Sequence, residues 1–230
     1  GGEMRALFAE LMGRDTGVCG GRGGSQHIHW RNLYSNGVQG GIAPIAVGMA
    51  LAEKQRRTNA IVTVFLGDGT FGEGAIYEAF NMAKIWQAPI LIVGEDNHIA
   101  QTTPTALTTA GSLADRLRAF DIPASELDTS DVAVIRQAAA GSAAEVRGGK
   151  GPAALVIHTA RFGPHSKGDD TRTEQELDHL LQTRDPLKLL AGRLDLAAID
   201  RVRVEVDAEV ADAFQVALSD PAAQFIEEGR

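Results

Sequence analysis

The chain has 230 residues, of which 44% are hydrophobic and 23% charged, so it is long enough to bury the core of a globular domain. Its formal net charge is −8 and it contains no long basic run, which argues against a nucleic-acid partner. No stretch approaches the roughly 18 consecutive apolar residues of a membrane span, no signal peptide is visible, and the single cysteine fits a reducing compartment, so we expect a cytoplasmic location without membrane attachment.

The apolar pattern alternates helices with buried strands along the chain. A helix is predicted over residues 3–13, and a glycine-rich loop follows from Gly17 to His29. The later predicted helices cover residues 42–56, 74–86, 113–119, 131–147 and 200–217. The predicted strands cover residues 60–66, 89–93 and 153–159, with polar loops over 98–111 and 161–173. This order favours an α/β fold, a parallel sheet with helices on both faces, in a single domain over residues 1–230.

Polar residues follow two of these strands at the point where each strand ends. The first strand leads into Gly67-Asp68-Gly69, and the second leads into Glu95-Asp96-Asn97. Roughly 30 residues separate Asp68 from Asn97, the length of one strand–helix–strand unit, so parallel strands would bring both side chains to one sheet edge. Hard oxygen ligands beside glycine amides suit magnesium bridged to a diphosphate. Gly-Asp-Gly alone is also common in connections that bind nothing.

Four stretches in matching order carry a more specific resemblance. Residues 67–83, followed by Glu95-Asp96-Asn97, resemble the thiamine-diphosphate motif. The others are residues 20–27, residues 35–44, and residues 161–166 with Asp169-Asp170. Together they resemble the alpha subunit of the decarboxylating component of 2-oxo acid dehydrogenase complexes, a group that includes the pyruvate, branched-chain and acetoin enzymes. The fold implied is the thiamine-diphosphate-binding fold.

The resemblance implies a role for each matching residue. Asp68 and Asn97 would bind magnesium through their side chains, and Ile99, where the family usually has tyrosine, through its main-chain carbonyl. The residues implied to bind the thiamine diphosphate are Gly37, Gln39, Gly67, Asp68, Gly69, Thr70, Asn97 and His165. Of these, Gly37 and Gln39 would contact the aminopyrimidine ring through the backbone, and His165 would act catalytically at the mouth of the site.

The implied activity is decarboxylation of a 2-oxo acid and acyl transfer to a lipoyl carrier. A beta subunit would complete the site in an alpha2-beta2 heterotetramer, with or without a lipoyl acyltransferase as a further partner. The alternatives are a split transketolase-like or acetoin-cleaving subunit with another acceptor, and a non-catalytic homologue. The family's alpha chain normally begins earlier, with a Tyr-Arg pair at the diphosphate, so we expect that part to have been trimmed, to be disordered or to come from another chain.

Two further pairs of residues allow more than one interpretation. His27 and His29 alternate after the glycine-rich loop, but no other ligands follow at zinc spacing, so no zinc site is predicted there. Asp169 and Asp170 could form a metal pair, and we favour loop hydrogen bonding to Arg161 or Arg172.

Overall fold

The computed structural model describes residues 3–166, 168 and 170–224. Contacts within the chain group into two compact units. One unit comprises residues 39–193, and the other combines residues 1–38 with residues 194–230. The expectation of one domain over residues 1–230 stays a prediction.

Helices and strands alternate through most of the described residues. The helices are α1 Met4–Leu11, α2 Ile42–Arg56, α3 Ala75–Ile85, α4 Leu113–Arg118, α5 Val132–Arg147, α6 Glu174–Thr183, α7 Pro186–Ala191 and α8 Leu196–Ser219. The strands are β1 His29–Trp30, β2 Leu33–Tyr34, β3 Val62–Gly67, β4 Ile90–Asp96, β5 Ile99–Ala100, β6 Thr103–Pro104, β7 Ala124–Asp128 and β8 Ala153–His158. Two 3₁₀ turns, Asp68–Gly72 and Thr105–Leu107, complete the set.

The larger unit is built on a four-stranded sheet in the order β3-β4-β8-β7, with every neighbouring pair parallel. The two central strands, β4 and β8, are almost continuously apolar and buried, as expected of strands covered on both faces. Because all four strands run the same way, their carboxyl ends share one edge, and the polar residues that follow β3 and β4 lie at that edge.

Each face of this sheet is covered by helices. Alternate residues of β4, Ile90 and Ile92, join a core with buried residues of α2, α3 and α4. The intervening residues, Leu91 and Val93, join a second core with Val146 of α5. Because successive strand residues point to opposite faces, one apolar run supplies both cores. The predicted α/β fold with a parallel sheet and helices on both faces is confirmed.

The structure adds strands that the apolar pattern does not reveal. The edge strand β7 has the sequence Ala-Ser-Glu-Leu-Asp and is mostly exposed or half-buried, so it lacks an apolar run. The residues predicted as a polar loop over 98–111 contain the β5–β6 hairpin, in which Ile99 pairs with Pro104. Such short strands form because they pair with neighbouring strands, and their amino-acid composition alone does not predict them.

The smaller unit packs α1 against α8. The rings of Phe8 and Phe214 meet edge to face, with centroids 5.7 Å apart. Arg5 of α1 donates to Asp220, which follows α8, with Nη2 and Oδ1 2.7 Å apart. The long C-terminal helix predicted over residues 200–217 is confirmed, and it begins earlier because Asp195 caps it by accepting from the N–H of Ala198. Among the described residues, no helix is both long enough and apolar enough to cross a membrane.

Candidate functional site

The carboxyl edge of the sheet brings together the residues that follow β3 and β4. Gly67, the last residue of β3, is in register with Glu95 of β4. Asp68 therefore leaves the sheet at the same level as the end of β4, which Asn97 follows directly. The carboxylate and the amide predicted as ligands thus stand on adjacent parallel strands at one edge, as the spacing requires.

Asp68 is buried and held on both carboxylate oxygens. Its exposed fraction is 4%. Oδ1 accepts from the N–H of Gly69 at 2.8 Å, and Oδ2 accepts from the hydroxyl of Thr105 at 2.5 Å. Each carboxylate oxygen has about two acceptor positions, so both retain capacity for a metal ion after these bonds. Sequence reasoning missed Thr105, which lies in the stretch predicted as a polar loop.

The segment after β4 presents the other two predicted ligands. Asn97 Oδ1 accepts from the N–H of Ile99 at 3.0 Å, which closes a tight turn. Ile99 pairs with Pro104 across the β5–β6 hairpin. The N–H of Thr105 donates to the carbonyl of His98 at 2.9 Å, so Ile99 and Pro104 occupy the next, non-hydrogen-bonded position of the ladder. A main-chain carbonyl does not depend on the side chain, so the isoleucine in place of the family's tyrosine does not remove the predicted main-chain ligand.

Glycines leave room at the end of β3. A Cβ built on Gly67 would have no neighbour within 4 Å, so there is open space beside the strand end. A Cβ on Gly69 would lie 3.0 Å from the Cβ of Ala100, so Gly69 lets the turn pack closely on β5. Carboxylate, amide and main-chain oxygens beside an open glycine are the donor set that Mg²⁺ prefers, and these residues fit that ion.

The residues before α2 are fastened to the turn that follows β3. The hydroxyl of Thr70 donates to the side-chain oxygen of Gln39 at 2.9 Å, so two predicted cofactor-binding residues bond to each other. Glu73 Oε1 accepts from the N–H of Gly40 at 3.1 Å. A Cβ on Gly40 would lie 2.3 Å from Glu73 Oε2, so any larger residue there would displace the Glu73 side chain from this bond. Glu73 lies within the thiamine-diphosphate motif and positions the main chain at Gly40. Sequence reasoning did not predict this role.

Gly37 belongs to the smaller unit. A Cβ at this position would lie 2.6 Å from the side-chain oxygen of Gln26, so glycine lets that side chain pack directly against the main chain. Its predicted contact with the aminopyrimidine ring stays a prediction.

The predicted catalytic His165 is exposed on a loop that Arg172 organises. The guanidinium of Arg172 donates to the carbonyls of Arg161 and Gly163 at 2.5 and 2.9 Å. It also forms a two-pronged bond with Asp170, through Nε at 2.9 Å and Nη2 at 2.7 Å. These hydrogen bonds from Arg172 lower the pKa of Asp170 to about 2.

The loop-bonding reading of the double aspartate is thus confirmed for Asp170. Asp169 lies outside the described residues. Arg161 ties the same loop to the hairpin, since its Nη2 donates to the carbonyl of Gln101 at 2.8 Å. The loop is therefore anchored at its base, while His165 faces solvent.

Comparison with known proteins gives the chain a family. The model of the family described as "Dehydrogenase E1 component" matches residues 1–226. The mitochondrial pyruvate dehydrogenase E1 component subunit alpha of Sminthopsis macroura is 36% identical over 229 residues, which cover 95% of this chain and 62% of that protein. The somatic forms from Rattus norvegicus and Homo sapiens are 35% and 34% identical, and the matches cover 59% and 58% of their lengths. The chain spans about three fifths of the length of these relatives.

These relatives correct one expectation. Each carries "mitochondrial" in its name, and this finding contradicts the cytoplasmic location inferred from the single cysteine and the missing signal. A reducing environment is compatible with several compartments, so cysteine content was too weak a guide. The resemblance read from the four motifs is confirmed, and the chain belongs to the dehydrogenase E1 component family of thiamine-diphosphate-dependent 2-oxo acid dehydrogenase subunits.

Proposed function

We propose that this chain is the alpha subunit of a thiamine-diphosphate-dependent 2-oxo acid dehydrogenase and that it holds magnesium and the cofactor's diphosphate. The observation that carries the proposal is that Asp68 and Asn97 each directly follow one of two adjacent parallel strands, at the same edge of the sheet. The names of the relatives favour pyruvate as the 2-oxo acid.

Different residues would bind the magnesium ion and the diphosphate. Asp68 supplies the negative charge, Asn97 a neutral amide oxygen, and Ile99 a main-chain oxygen. Gly67, Gly69 and Thr70 line the turn against which the diphosphate would lie. Thr105 fixes the Asp68 carboxylate through the 2.5 Å bond, so the ligand is oriented before the ion arrives.

The remaining proposed residues belong to the reactive end of the cofactor. Gln39 is held by Thr70, and Gly40 beside it is held by Glu73, so the main chain before α2 is fixed where the aminopyrimidine would bind. Gly37 would contribute a main-chain contact. His165, exposed on its anchored loop, would reach the mouth of the site. When bound, thiamine diphosphate supplies the electron sink for decarboxylation.

Exposed apolar side chains support a partner subunit. Thr63 and Phe65 of β3 point away from the core formed with α2 and α3, and Phe65 is 61% exposed. Other large apolar side chains that are more than half exposed are Val38, Ile45, Ile85, Leu107, Leu187, Leu194, Leu196, Val202, Val204 and Leu33. A beta subunit in a heterotetramer, the partner that the resemblance implies, would offer these side chains a surface to pack against. Transfer of the acyl group to a lipoyl carrier is part of the same proposal.

The test compares binding of thiamine diphosphate by calorimetry with and without Mg²⁺. Asp68→Asn removes the ligand's charge, and we expect binding to weaken at least about 100-fold, close to 3 kcal/mol at 1.4 kcal/mol per tenfold. Thr105→Val leaves the carboxylate but frees its Oδ2, and a loss of about tenfold is expected.

The matched control is Asp200→Asn, which removes an exposed carboxylate on α8 and should leave binding unchanged. Binding of equal strength in the Asp68→Asn protein would contradict the assigned ligand. No Mg²⁺-dependent binding by the parent protein together with its beta subunit would favour a non-catalytic homologue.

A further inference from the structure

A second cluster of metal-ligating side chains lies at the same edge of the sheet. It consists of Asp96 at the end of β4, His98 two residues later and His158 at the end of β8. Asp96 and His158 are register partners on adjacent parallel strands, so the sheet itself sets their separation. Within the described part of the chain, these are the three His, Cys, Asp or Glu side chains that lie close enough together to hold one metal ion.

The spacing of the three side chains suits a single ion. Asp96 Oδ1 lies 3.2 Å from His98 Nδ1, and Asp96 Oδ2 lies 3.3 Å from His158 Nδ1. One ligand atom from each residue can be chosen so that all lie within 4.8 Å of one another. Bonds of about 2.0–2.2 Å in a tetrahedral zinc site place neighbouring ligand atoms about 3.4 Å apart. The two carboxylate–imidazole separations are therefore close to those of neighbouring ligands in a zinc site, and the three side chains lie near enough to one another to share one ion.

The state of His158 points to an absent ligand. Its Nδ1 is buried and has no hydrogen-bond partner among the described residues, although a carboxylate oxygen is only 3.3 Å away. The two atoms are close without the alignment of an N–H···O bond. Buried polar atoms are rarely left unpaired. An ion between the ring nitrogen and the carboxylate would accept electron pairs from both.

The surroundings support both imidazoles. His158 Nε2 lies 3.7 Å from Glu126 Oε2, so a carboxylate stands behind the ring, as is usual for metal-bound histidines. The rings of His98 and His158 stack with centroids 5.2 Å apart.

His98 is fixed through its main chain. It has a φ of 64°, a conformation that L-residues rarely adopt. Its N–H donates to Asp96 Oδ1 at 2.9 Å, and its carbonyl accepts from the N–H of Thr105 at 2.9 Å. The unusual turn is what carries the His98 ring back towards Asp96.

We propose that Asp96, His98 and His158 bind a divalent transition-metal ion of the zinc class. Two imidazole nitrogens and one carboxylate suit zinc and its neighbours in the first transition row and are a poor set for Mg²⁺, which takes oxygens. The site is separate from the oxygen-donor set, although the two alternate along the chain at residues 96 to 99. His98 is 67% exposed on its side chain, so a water or an external group can complete the coordination. An ion bound here would join the ends of β4 and β8.

The test measures zinc and cobalt binding to the purified chain. The protein carries no histidine tag and is stripped with a chelator, and binding is followed by calorimetry for Zn²⁺ and by visible absorption for Co²⁺. We expect one equivalent of each ion. His158→Gln should weaken zinc binding at least tenfold and remove the cobalt absorption. His98→Gln provides a second variant at an exposed position, where folding is not at risk.

Two controls separate this site from others. His179→Gln removes an exposed histidine of α6 and should bind zinc like the parent. Asp68→Asn should lose Mg²⁺-dependent thiamine diphosphate binding while retaining the zinc equivalent, so failure of one site is distinguishable from failure of the other. The proposal is overturned if the parent binds no zinc equivalent, or if His158→Gln and His98→Gln, both folded by circular dichroism, bind it like the parent.

Discussion

At the scale of single residues, the site depends on side chains that hold other side chains. Thr105 bonds the carboxylate of Asp68, and Glu73 bonds the main chain beside Gln39. Arg172 spans the base of the His165 loop by bonding two carbonyls and one carboxylate. The orientation of each predicted site residue therefore depends on a side chain from another part of the chain.

The Asp170–Arg172 pair gives a prediction for pH dependence. The pKa of Asp170 is about 2 in the folded protein, against an ordinary value of 3.8. A lowered pKa stabilises the folded state fully above the ordinary value, and this contribution is lost as the pH falls towards the folded pKa. The Asp170→Asn protein should therefore be less stable than the parent near neutral pH, and the difference should shrink between about pH 4 and pH 2.

Urea unfolding of both proteins across that pH range measures the effect. Arg172→Gln serves as the matched variant, because it removes the other half of the ion pair. Its free energy of unfolding should likewise lack the pH-dependent contribution that the pair makes in the parent. A gap between parent and Asp170→Asn that stays constant from pH 6 to the lowest pH at which both fold would contradict the prediction.

At the scale of elements, the glycine-rich loop is organised by a helix residue. Glu10 of α1 is fully buried. Its carboxylate accepts from the N–H groups of Cys19 at 2.6 Å, Gly21 at 2.9 Å and Gly23 at 2.6 Å. Burial raises the pKa of Glu10, but the N–H donors of the loop together outweigh it, so the pKa lies below its ordinary value. The N–H groups of the loop thus bind the carboxylate of Glu10, an anion of the protein itself.

The corresponding prediction concerns stability. Glu10→Gln removes the charge and turns one acceptor into a donor that faces N–H groups. Hydrogen bonds to charged groups contribute about 1.5–3 kcal/mol each, so a loss of about 2 kcal/mol in the free energy of unfolding is expected. Urea unfolding measures it, with Glu209→Gln on the exposed surface of α8 as the control. Equal stability of the Glu10→Gln and parent proteins would show that the loop does not depend on this carboxylate.

At the scale of the whole molecule, apolar surface remains that the chain itself does not cover. Leu107 is 78% exposed, and Leu196 at the start of α8 is 74% exposed. Full burial of a large aliphatic side chain contributes about 1.5–3 kcal/mol, so an interface that covered these leucines would stabilise a complex. The beta subunit of the proposed heterotetramer is the partner expected to cover them.

We accordingly expect the isolated chain to lack decarboxylase activity even with thiamine diphosphate and Mg²⁺. Addition of the beta subunit should give a larger complex by light scattering and should produce activity with a 2-oxo acid and an artificial electron acceptor. Asp68→Asn should still assemble, since its carboxylate is buried, and should remain inactive. Decarboxylation by the isolated chain, above the rate of a no-protein blank, would contradict the need for a partner.

Local sequence predicted the parts of this protein that depend on neighbouring residues. Apolar runs predicted β3, β4 and β8, and local sequence also predicted α4 and α5. Ser112 and Asp131 begin these two helices by accepting from N-terminal amides. The interval between Asp68 and Asn97 indicated a shared sheet edge because a strand–helix–strand unit typically takes about 30 residues. The motifs also identified the family.

Tertiary structure alone decided what depends on partners distant in the chain. The edge strand β7 exists because β8 offers it backbone hydrogen bonds, and its polar sequence carries no apolar signal. Thr105 meets Asp68 across 37 positions, and His158 meets Asp96 only because β4 and β8 pair in that register. A side chain's chemistry is readable from its own position in the chain, whereas its partner is fixed only when the sheet and its connections set the distance between them.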